Sequence, residues 1–478
     1  MNRLQTFAFA AAFAAAATPA AAQHGTTPPP PGPLRPFQVP APQEFTLPNG
    51  LRVVVVRQAA LPIVSGRIIL KSGAVYEPAE KNGLAQLTAT LLREGAEGIT
   101  ASELNTRMER LGAQFQTGAG YASASATVTA LKPVFGEALA LAARTVMHPT
   151  FPESEFNRVR TQAIAGYVQN QSTVEGLAFE TFSRAVFQPT AAYSRPSGGT
   201  RGTLEKLTLQ DVQDWHRRTY APSNAILLLV GDVTVPEARQ FATQALGSWS
   251  GASVSLPAVQ NLPQAPQGTR IILVDRPGSV QSGVFAGQAA IGYGDPAYFP
   301  FTGLSQVLGG GFRARMNSNL RERHGWTYGA FSGLNALQGT GTFFVSSSIR
   351  TNATDSAVAE IVREYRRIAT EPVPAGELSE GLSNLVGSFP NTVQTVQGLS
   401  QRYETMLLYG LPTNFWTTYR ERLTAVTPAD IARVGQQKLT PNAVTVVVAG
   451  DLSKIEAPIR ALNLGTVEVW DASGTKVR

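Results

Sequence analysis

Apolar and polar residues follow two patterns along this chain, one typical of helices and one typical of buried strands. Leu84, Leu87 and Leu91 recur at the three-to-four-residue spacing of a helix with one apolar face. Residues 53–56 form instead a continuous run of valines, which follows the turn-forming sequence Pro-Asn-Gly at 48–50. The pattern therefore predicts short apolar strands that alternate with helices.

One segment of this pattern occurs twice. A polar stretch, a proline and an apolar run ending in Gly-Asp begin at Leu207 and again at Val426. Five identities share an offset of 219 residues: Thr208/Thr427, Asp211/Asp430, Pro222/Pro441, Gly231/Gly450 and Asp232/Asp451. Residues 83–86 correspond in the same way to 303–306, at an offset of 220. Each copy is typical of a capped helix, a Pro turn and a buried strand. The chain is thus predicted to be a tandem duplication of one α+β unit, with mixed sheets covered by helices.

The ends of the two copies are marked by composition. Residues 1–22 combine a short positive start, an apolar stretch too short to span a bilayer and a small-residue cleavage site, which indicates a secretory signal peptide. Two Pro-rich stretches are typical of extended spacers. The predicted organisation is a signal peptide 1–22, a linker 23–44, a first domain 45–250, a linker 251–268, a second domain 269–466 and a tail 467–478.

Composition limits the classes of function. Of 478 residues, 43% are hydrophobic and 15% charged, which is a globular profile too long for one core. The net charge of +7 is not concentrated in a basic run, so nucleic acid is not a predicted partner. There is no cysteine for a disulfide or for a lipid anchor at the cleavage site, and no later segment is apolar enough to span a membrane. These features predict a secreted chain without a membrane anchor, periplasmic in a Gram-negative cell.

Four segments, in this order, resemble the insulinase/pitrilysin family of zinc peptidases. They are the strand after LPNGL, the helix GLAQLTATLLREG, the strand in HRRTYAPSNAILLLVGDV and the second-half segment LGGGFRARMNSNLRERHGWTYGAFS. The similarity extends from about residue 45 to about residue 464, and the last segment is the most specific. The resemblance implies an insulinase-type peptidase-like fold, in which two tandem α/β halves face each other as a clamshell.

In active members of that family, the first-half helix carries His-x-x-Glu-His. The two histidines bind zinc from one helical face, and the glutamate activates the metal-bound water. Here Gln86 and Thr90 stand at the histidine positions, and Ala89 stands at the glutamate position. The family's third ligand, a glutamate on a later helix, falls at Ala165 or Gly166. The resemblance therefore implies that the helix persists without its zinc chemistry.

The number and spacing of the histidines also argue against a zinc site. Only His24, His148, His216 and His324 are present, no two of them have the His-x-x-x-His spacing, and no cysteine is available. Histidine and cysteine are the commonest ligands of protein-bound zinc. We therefore expect no metal or other cofactor in this chain and no peptidase activity of the chain on its own.

One functional element of the family is kept in the second half. Arg321 and Tyr328, seven positions apart, match an Arg and a Tyr that in the family hold the substrate carbonyl and the oxyanion formed from it. A guanidinium and a phenol both donate hydrogen bonds to negative oxygen. The other interpretation is a structural Arg and a core Tyr. Nearby, residues 309–311 are three glycines with no following Gly-Lys-Ser/Thr, which predicts a tight turn and not a phosphate loop.

Two hypotheses follow from the resemblance. In the first, the chain is the zinc-less subunit of a heterodimeric peptidase, and a homologous partner chain carries the zinc and cuts peptide substrates. In the second, it is a peptide-binding or structural protein of the envelope without a catalytic role. The retained Arg321 and Tyr328 favour the first hypothesis, because a purely structural protein does not need them.

Overall fold

The computed structural model describes residues 38–478 apart from 261, 265 and 266. The predicted signal peptide, 1–22, and residues 23–37 of the predicted linker lie outside the described residues. Within the described part, no helix is both long enough and apolar enough to cross a membrane.

The first sheet forms around the valines at 53–56, which are all buried because the strand that carries them lies inside the sheet. The strands of the first half are β1 (Gln43–Thr46), β2 (Arg52–Arg57), β3 (Ile63–Leu70), β4 (Gly95–Ala96), β5 (Ile99–Thr100), β6 (Gln114–Ala119), β7 (Ala124–Leu131) and β8 (Ala225–Gly231). Six of them form one sheet in the order β1-β2-β8-β3-β7-β6, and β4 and β5 pair separately. Strand β8 is parallel to β2 and antiparallel to β3.

The second sheet repeats this order. Its strands are β9 (Arg270–Asp275), β10 (Gln281–Ala290), β11 (Thr327–Ala336), β12 (Gly341–Arg350), β13 (Thr445–Gly450) and β14 (Thr466–Trp470). Their order is β14-β9-β13-β10-β12-β11, so the two strands that end in Gly-Asp, β8 and β13, hold the same position. Strand β13 is likewise parallel to β9 and antiparallel to β10. The duplication predicted from the repeat is therefore present in the sheets.

Helices cover both sheets. In the first half they are α1 (Leu84–Leu91), α2 (Ala101–Arg110), α3 (Lys132–Met147), α4 (Glu153–Gln171), α5 (Val174–Val186), α6 (Arg201–Leu204), α7 (Leu209–Thr219) and α8 (Val235–Leu246). In the second half they are α9 (Tyr298–Gly309), α10 (Arg315–Asn317), α11 (Thr354–Thr370), α12 (Ala375–Val393), α13 (Val396–Leu408), α14 (Tyr419–Thr424), α15 (Pro428–Lys438) and α16 (Leu452–Ala461). A π-helical segment, Ser318–Arg323, follows α10 directly.

The repeated Thr and Asp residues act as helix caps. The hydroxyl of Thr208 accepts a hydrogen bond from the Asp211 amide at 3.2 Å, and the Asp211 carboxylate accepts one from the Thr208 amide at 2.9 Å. Thr427 and Asp430 make the same pair of bonds at 3.2 and 3.0 Å. Each box satisfies donors that a helix N-terminus otherwise leaves unpaired. The capped helices predicted at both places, α7 and α15, are confirmed.

Each half also covers the sheet of the other half with one helix. Leu177 of α5 packs in one apolar cluster with Ile272 of β9 and Val447 of β13. In return, α13 packs on β3 and β8, where Glu404 forms a largely buried ion pair with Arg67. The two halves therefore share their cores, which the sequence pattern did not predict.

Part of the predicted linker 251–268 lies against the end of α5. The Gln188 amide donates to the carbonyl of Leu262 at 2.9 Å, and the Gln264 amide donates to the carbonyl of Val186 at 2.8 Å. The boundaries proposed for the two domains remain a prediction. Helices α5 and α13 each pack on the sheet of the other half, so the two halves are not separate in space.

Candidate functional site

The start of α1 is held by a buried carboxylate. Glu77 accepts hydrogen bonds from the amides of Gly83 and Ala85, at 3.0 and 2.9 Å, and from the side chain of Asn82 at 3.1 Å. Burial raises the pKa of Glu77 to about 7, although these hydrogen bonds act to lower it. Gly83 has φ +99°, and a Cβ there would lie 2.8 Å from the carbonyl oxygen of Gly198. The position of the degenerate helix is thus fixed at its first turn.

Gln86 and Thr90 lie on one face of α1, as the ligand spacing requires, but they bind each other. The side-chain amide of Gln86 donates to the Thr90 hydroxyl at 3.1 Å, and that hydroxyl donates to the backbone carbonyl of Gln86 at 2.9 Å. The remaining side-chain oxygen of Gln86 accepts from the amide of Ala119, the last residue of β6, at 2.8 Å. These polar groups therefore connect the helix to the edge strand of the first sheet.

The residues at the zinc-site positions do not fit a zinc ion. Gln86 and Thr90 are neutral and already hydrogen-bonded, and zinc prefers imidazole, thiolate or carboxylate. Ala89 is fully buried and offers only a methyl group where a general base would stand. Ala165 and Gly166, exposed on α4, supply no carboxylate. Over the whole described part of the chain, no three His, Cys, Asp or Glu side chains come close enough to hold a metal ion.

Two of the described histidines, His216 and His324, pack against aromatic rings. His216 on α7 hydrogen-bonds through Nε2 to the carbonyl of Val146 at 2.8 Å, and its ring packs at a tilt against Tyr220, with centroids 4.6 Å apart. Burial lowers the pKa of His216 to about 4, so it is neutral at physiological pH. His324 stacks on Trp326, with ring centroids 4.0 Å apart. His24 lies outside the described residues.

A polar cavity of about 390 Å³ opens beside Gln86, and both halves line it. Arg67 and Gln86 come from the first half, and Glu404 and Tyr409 come from α13 and the residue that follows it. Burial raises the pKa of Glu404 against the opposing effect of the Arg67 guanidinium. Arg321 and Tyr328 do not belong to the lining of this cavity. The two side chains therefore do not share this cavity with Gln86.

Arg321 and Tyr328 lie instead on an exposed face of the second half. Arg321 belongs to the π-helical segment, and its guanidinium lies 5.0 Å above the ring of Phe312. Tyr328 is 92% exposed, and Phe312 is 64% exposed. The interpretation of Tyr328 as a core residue is therefore wrong, because its ring contributes almost nothing to a core.

A bulge at the start of β11 presents Tyr328. The pairing of β11 with β12 shifts register between Thr327 and Ala330, which leaves Tyr328 and Gly329 outside the regular ladder. The Gly329 amide donates to the Thr327 hydroxyl at 3.0 Å, and the Ser347 hydroxyl lies 2.9 Å from the Gly329 carbonyl. An extra residue on one strand redirects its side chain. The bulge thus turns the phenol outward.

The three glycines form the turn that the sequence predicts. Helix α9 ends at Gly309, where a Cβ would lie 2.3 Å from the amide nitrogen of Ser332 on β11. Gly310 is also constrained, because a Cβ there would lie 2.6 Å from the Cα of Gln306. Backbone therefore meets backbone at this point, and the turn brings Phe312 to 6.4 Å from the ring of Phe331.

Comparison with known proteins identifies the family of this chain. The family model described as "Insulinase (Peptidase family M16)" matches residues 52–196, and the model "Peptidase M16 inactive domain" matches residues 206–385. The chain belongs to the insulinase family of M16 peptidases.

Similar proteins include an inactive relative and a relative named as a protease. Non-peptidase homolog YmxG of Helicobacter pylori is 22% identical over 76% of this chain and 83% of its own length. Zinc protease PqqE of the same organism is 23% identical over 84% of this chain and 90% of its own length. The crystal structure of a peptidase M16 inactive domain from Pseudomonas fluorescens superposes with a TM-score of 0.80 at 25% identity. It covers 86% of this chain and 98% of that one.

The predicted family and the predicted mixed α/β fold are therefore confirmed. The inactive-domain model matches residues 206–385 of this chain, and one similar protein is named a non-peptidase homolog. The assignment of Gln86, Ala89 and Thr90 to the zinc positions stays a prediction. The chain is an inactive-type member of the family and is not a peptidase on its own.

Proposed function

We propose that the chain is the non-catalytic subunit of a heterodimeric zinc peptidase. A homologous partner chain binds the zinc and activates the attacking water, and this chain supplies Arg321 and Tyr328 to the peptide substrate. The observation that carries the proposal is the 92% exposure of Tyr328 beside the Arg321 segment. An exposed phenol and a partly exposed guanidinium are both available to a substrate that approaches from outside the chain.

The chemistry of the two side chains suits this role. As water attacks a peptide carbonyl, its oxygen becomes negative, and donors already aimed at it stabilise the transition state more than the substrate. The Arg321 guanidinium has donors to spare, since its ring contact with Phe312 uses the face of the group, and its pairing with Glu322 at 3.6 Å is long. Tyr328 contributes a phenolic O–H, which donates one hydrogen bond.

The proposed location is the periplasm. The signal peptide predicted at 1–22 would direct export, and the absence of cysteine fits a chain that needs neither a disulfide nor a lipid anchor. In this proposal the mature chain meets its partner and its peptide substrates after export.

Capture of the chain with its partner tests the assembly. A tagged chain is purified from a periplasmic extract, and the zinc and peptidase activity of the eluate are measured. We expect a co-purifying homologue with an intact His-x-x-Glu-His and one zinc per complex. Recovery of the chain without such a homologue, without zinc and without activity would leave the peptide-binding or structural hypothesis as the better one.

Substitutions in the assembled complex test the roles of the two residues. Arg321→Ala and Tyr328→Phe should each lower turnover by roughly a hundredfold, the usual effect of losing one oxyanion donor. Zinc content and melting temperature should not change, because neither side chain binds metal or fills a core. Arg323→Ala is the matched control, since Arg323 is exposed on the same segment. Normal turnover in both variants, or a loss that follows unfolding, would remove the proposed role.

A further inference from the structure

A buried asparagine connects the segments next to the two proposed substrate-binding residues. Asn317 is the last residue of α10 and has no exposed surface. Its side-chain amide donates to the carbonyl of Phe312 at 2.8 Å, and its side-chain oxygen accepts from the amide of Ala330 at 3.2 Å. Both partners are backbone groups, so these bonds hold chain segments in place whatever the neighbouring side chains are.

The three segments that meet at Asn317 are those that place the proposed site. Phe312 closes the glycine turn, and its ring supports the Arg321 guanidinium. The π-helical segment that carries Arg321 begins at the next residue, Ser318. Ala330 resumes the β11–β12 ladder directly after the bulge that carries Tyr328. One side chain thus connects the support of the guanidinium with the support of the phenol.

We propose that Asn317 is a positioning residue that fixes the separation of Arg321 and Tyr328. This inference rests on the proposed function. Asn317 touches no substrate in this account, and it acts only through the turn below Arg321 and the strand beyond Tyr328. Two donors aimed at one oxygen lose most of their effect when their spacing changes, because rate depends steeply on the geometry of such groups.

Asparagine suits this position for a specific reason. It offers a donor and an acceptor on one planar group, and the two backbone partners require one of each. Aspartate at 317 would keep the bond from Ala330 but would place a carboxylate against the Phe312 carbonyl. Alanine would leave the buried Ala330 amide without this acceptor and would remove the donor from the Phe312 carbonyl.

The chain offers a matched control two residues away. Asn319 is 7% exposed, and its side-chain amide donates to the Glu360 carboxylate at 2.7 Å on the side of α11. Substitution of Asn319 removes a partly buried hydrogen bond from the same helical segment but leaves the Asn317 bonds to the glycine turn and to β11 in place. A loss that reflects only damage to this segment should therefore be the same for both asparagines.

Hydrogen exchange on the isolated chain tests the connection without any partner. In Asn317→Ala, the amide hydrogen of Ala330 should exchange at least roughly tenfold faster, since it loses its acceptor. Asn317→Asp should keep this amide protected, and Asn319→Ala should leave it as in the wild type. Equal protection in Asn317→Ala and the wild type would overturn the proposal at this step.

A double-mutant cycle in the zinc-bearing complex, with a fluorogenic peptide, tests the consequence. Asn317→Ala should lower kcat roughly tenfold with little change in KM, and Asn319→Ala should not. In an Arg321→Ala, Tyr328→Phe background, Asn317→Ala should have no further effect, because it acts through these side chains. An equal fold-loss in both backgrounds would overturn the positioning role alone. Unchanged turnover in the Arg321 and Tyr328 variants would instead overturn the proposed function, and the inference with it.

Discussion

The two halves of the chain share a strand order and a helix-capping box, but they differ in the side chains at their candidate functional positions. Both have the same strand order up to the outermost strand, which is antiparallel to its neighbour in β1 and parallel in β14. Both have the same capping box on the helix before the Gly-Asp strand. The zinc positions of the first half are filled by groups that bind one another, whereas the second half exposes Arg321 and Tyr328. Packing and capping requirements were thus retained in both copies while the chemistry was not.

The contact between the first helix and the edge strand shows this difference in detail. In the first half, Gln86 of α1 accepts from the Ala119 amide of β6. In the second half, the corresponding helix α9 is connected to the edge strand β11 through the Ser332 hydroxyl, which donates to the Ser305 carbonyl at 2.7 Å. Each half therefore joins helix and edge strand by a short polar contact. At Gln86, that contact uses a residue that the sequence motif predicts to stand at a zinc-ligand position.

The largest difference between equivalent positions is expected at the glycines that end β8 and β13. Gly231 has φ +135°, and a Cβ there would lie 2.1 Å from the carbonyl oxygen of Ile63. At Gly450 the closest atom to a Cβ is the hydroxyl of Ser282, at 2.6 Å, and the backbone is not left-handed. Gly231→Ala should therefore lower the free energy of unfolding by at least about 3 kcal/mol, and Gly450→Ala by about 1 kcal/mol.

Urea denaturation of both variants measures this difference. The midpoints should separate clearly, with Gly450→Ala close to the wild type. Equal midpoints for the two variants would contradict the prediction. They would show that an added Cβ costs the same at both glycines despite their different backbone conformations.

Much of the fold could be predicted because its signals are local. The capping boxes at Thr208 and Thr427 lie within four residues, and the valines at 53–56 are contiguous. The exchange of helices between the halves was missed, because it depends on contacts such as Arg67 with Glu404, which are 337 positions apart. A signal was nevertheless present in the sequence. Both α5 and α13 begin with Thr-Val-x-Gly-Leu, and in both the threonine caps the helix.

The candidate site was predicted less completely than the fold. The motifs predict that the zinc residues are lost and that Arg321 and Tyr328 match the family's Arg and Tyr, but they do not predict the surroundings of these side chains. The exposure of Tyr328 results from a one-residue shift in strand pairing, which depends on the partner strand β12. The role of Asn317 also depends on two backbone groups that come together only in the folded chain.

The second expected difference is in pH dependence. His216 has a depressed pKa of about 4, and the equivalent position in the second half, at the offset of 219, is Gly435. Below pH 6.5 the unfolded chain protonates this histidine while the folded chain does not. Its contribution to stability is therefore present above pH 6.5 and is lost as the pH falls towards 4. The loss should reach about 2 kcal/mol, since partial exposure reduces the full effect.

His216→Gln isolates this contribution, because glutamine can still donate to the Val146 carbonyl but does not titrate in this range. Denaturation midpoints of both proteins are measured from pH 4 to pH 7. Glu77 and other groups titrate in the same window, so the informative quantity is the difference between the two proteins. This difference should change with pH, and two parallel curves would contradict the prediction.

A smaller and equal effect is expected at the two capping boxes. Thr208→Ala and Thr427→Ala each remove a hydroxyl that accepts from the third residue of its helix. Each should lower the free energy of unfolding by about 1 kcal/mol. Both variants are compared by denaturation under the same conditions, with Thr424→Ala, an exposed position at the end of α14, as the control. A loss at only one of the two caps would show that the halves no longer share this requirement.

No gain in zinc binding or in peptidase activity is expected from restoring the zinc motif. The triple variant Gln86→His, Ala89→Glu, Thr90→His would place two imidazoles on one face of α1, since Gln86 and Thr90 already meet there. Two ligands do not complete a zinc site, and Ala165 and Gly166 supply no third. The substitution also breaks the bond to the Ala119 amide. After dialysis against buffer, elemental analysis should therefore find no stoichiometric zinc, and the isolated variant should cut no peptide. Adding Ala165→Glu or Gly166→Glu tests the third position separately. One tightly held zinc in the triple variant alone would show that the chain supplies a ligand at a position that the family pattern does not identify.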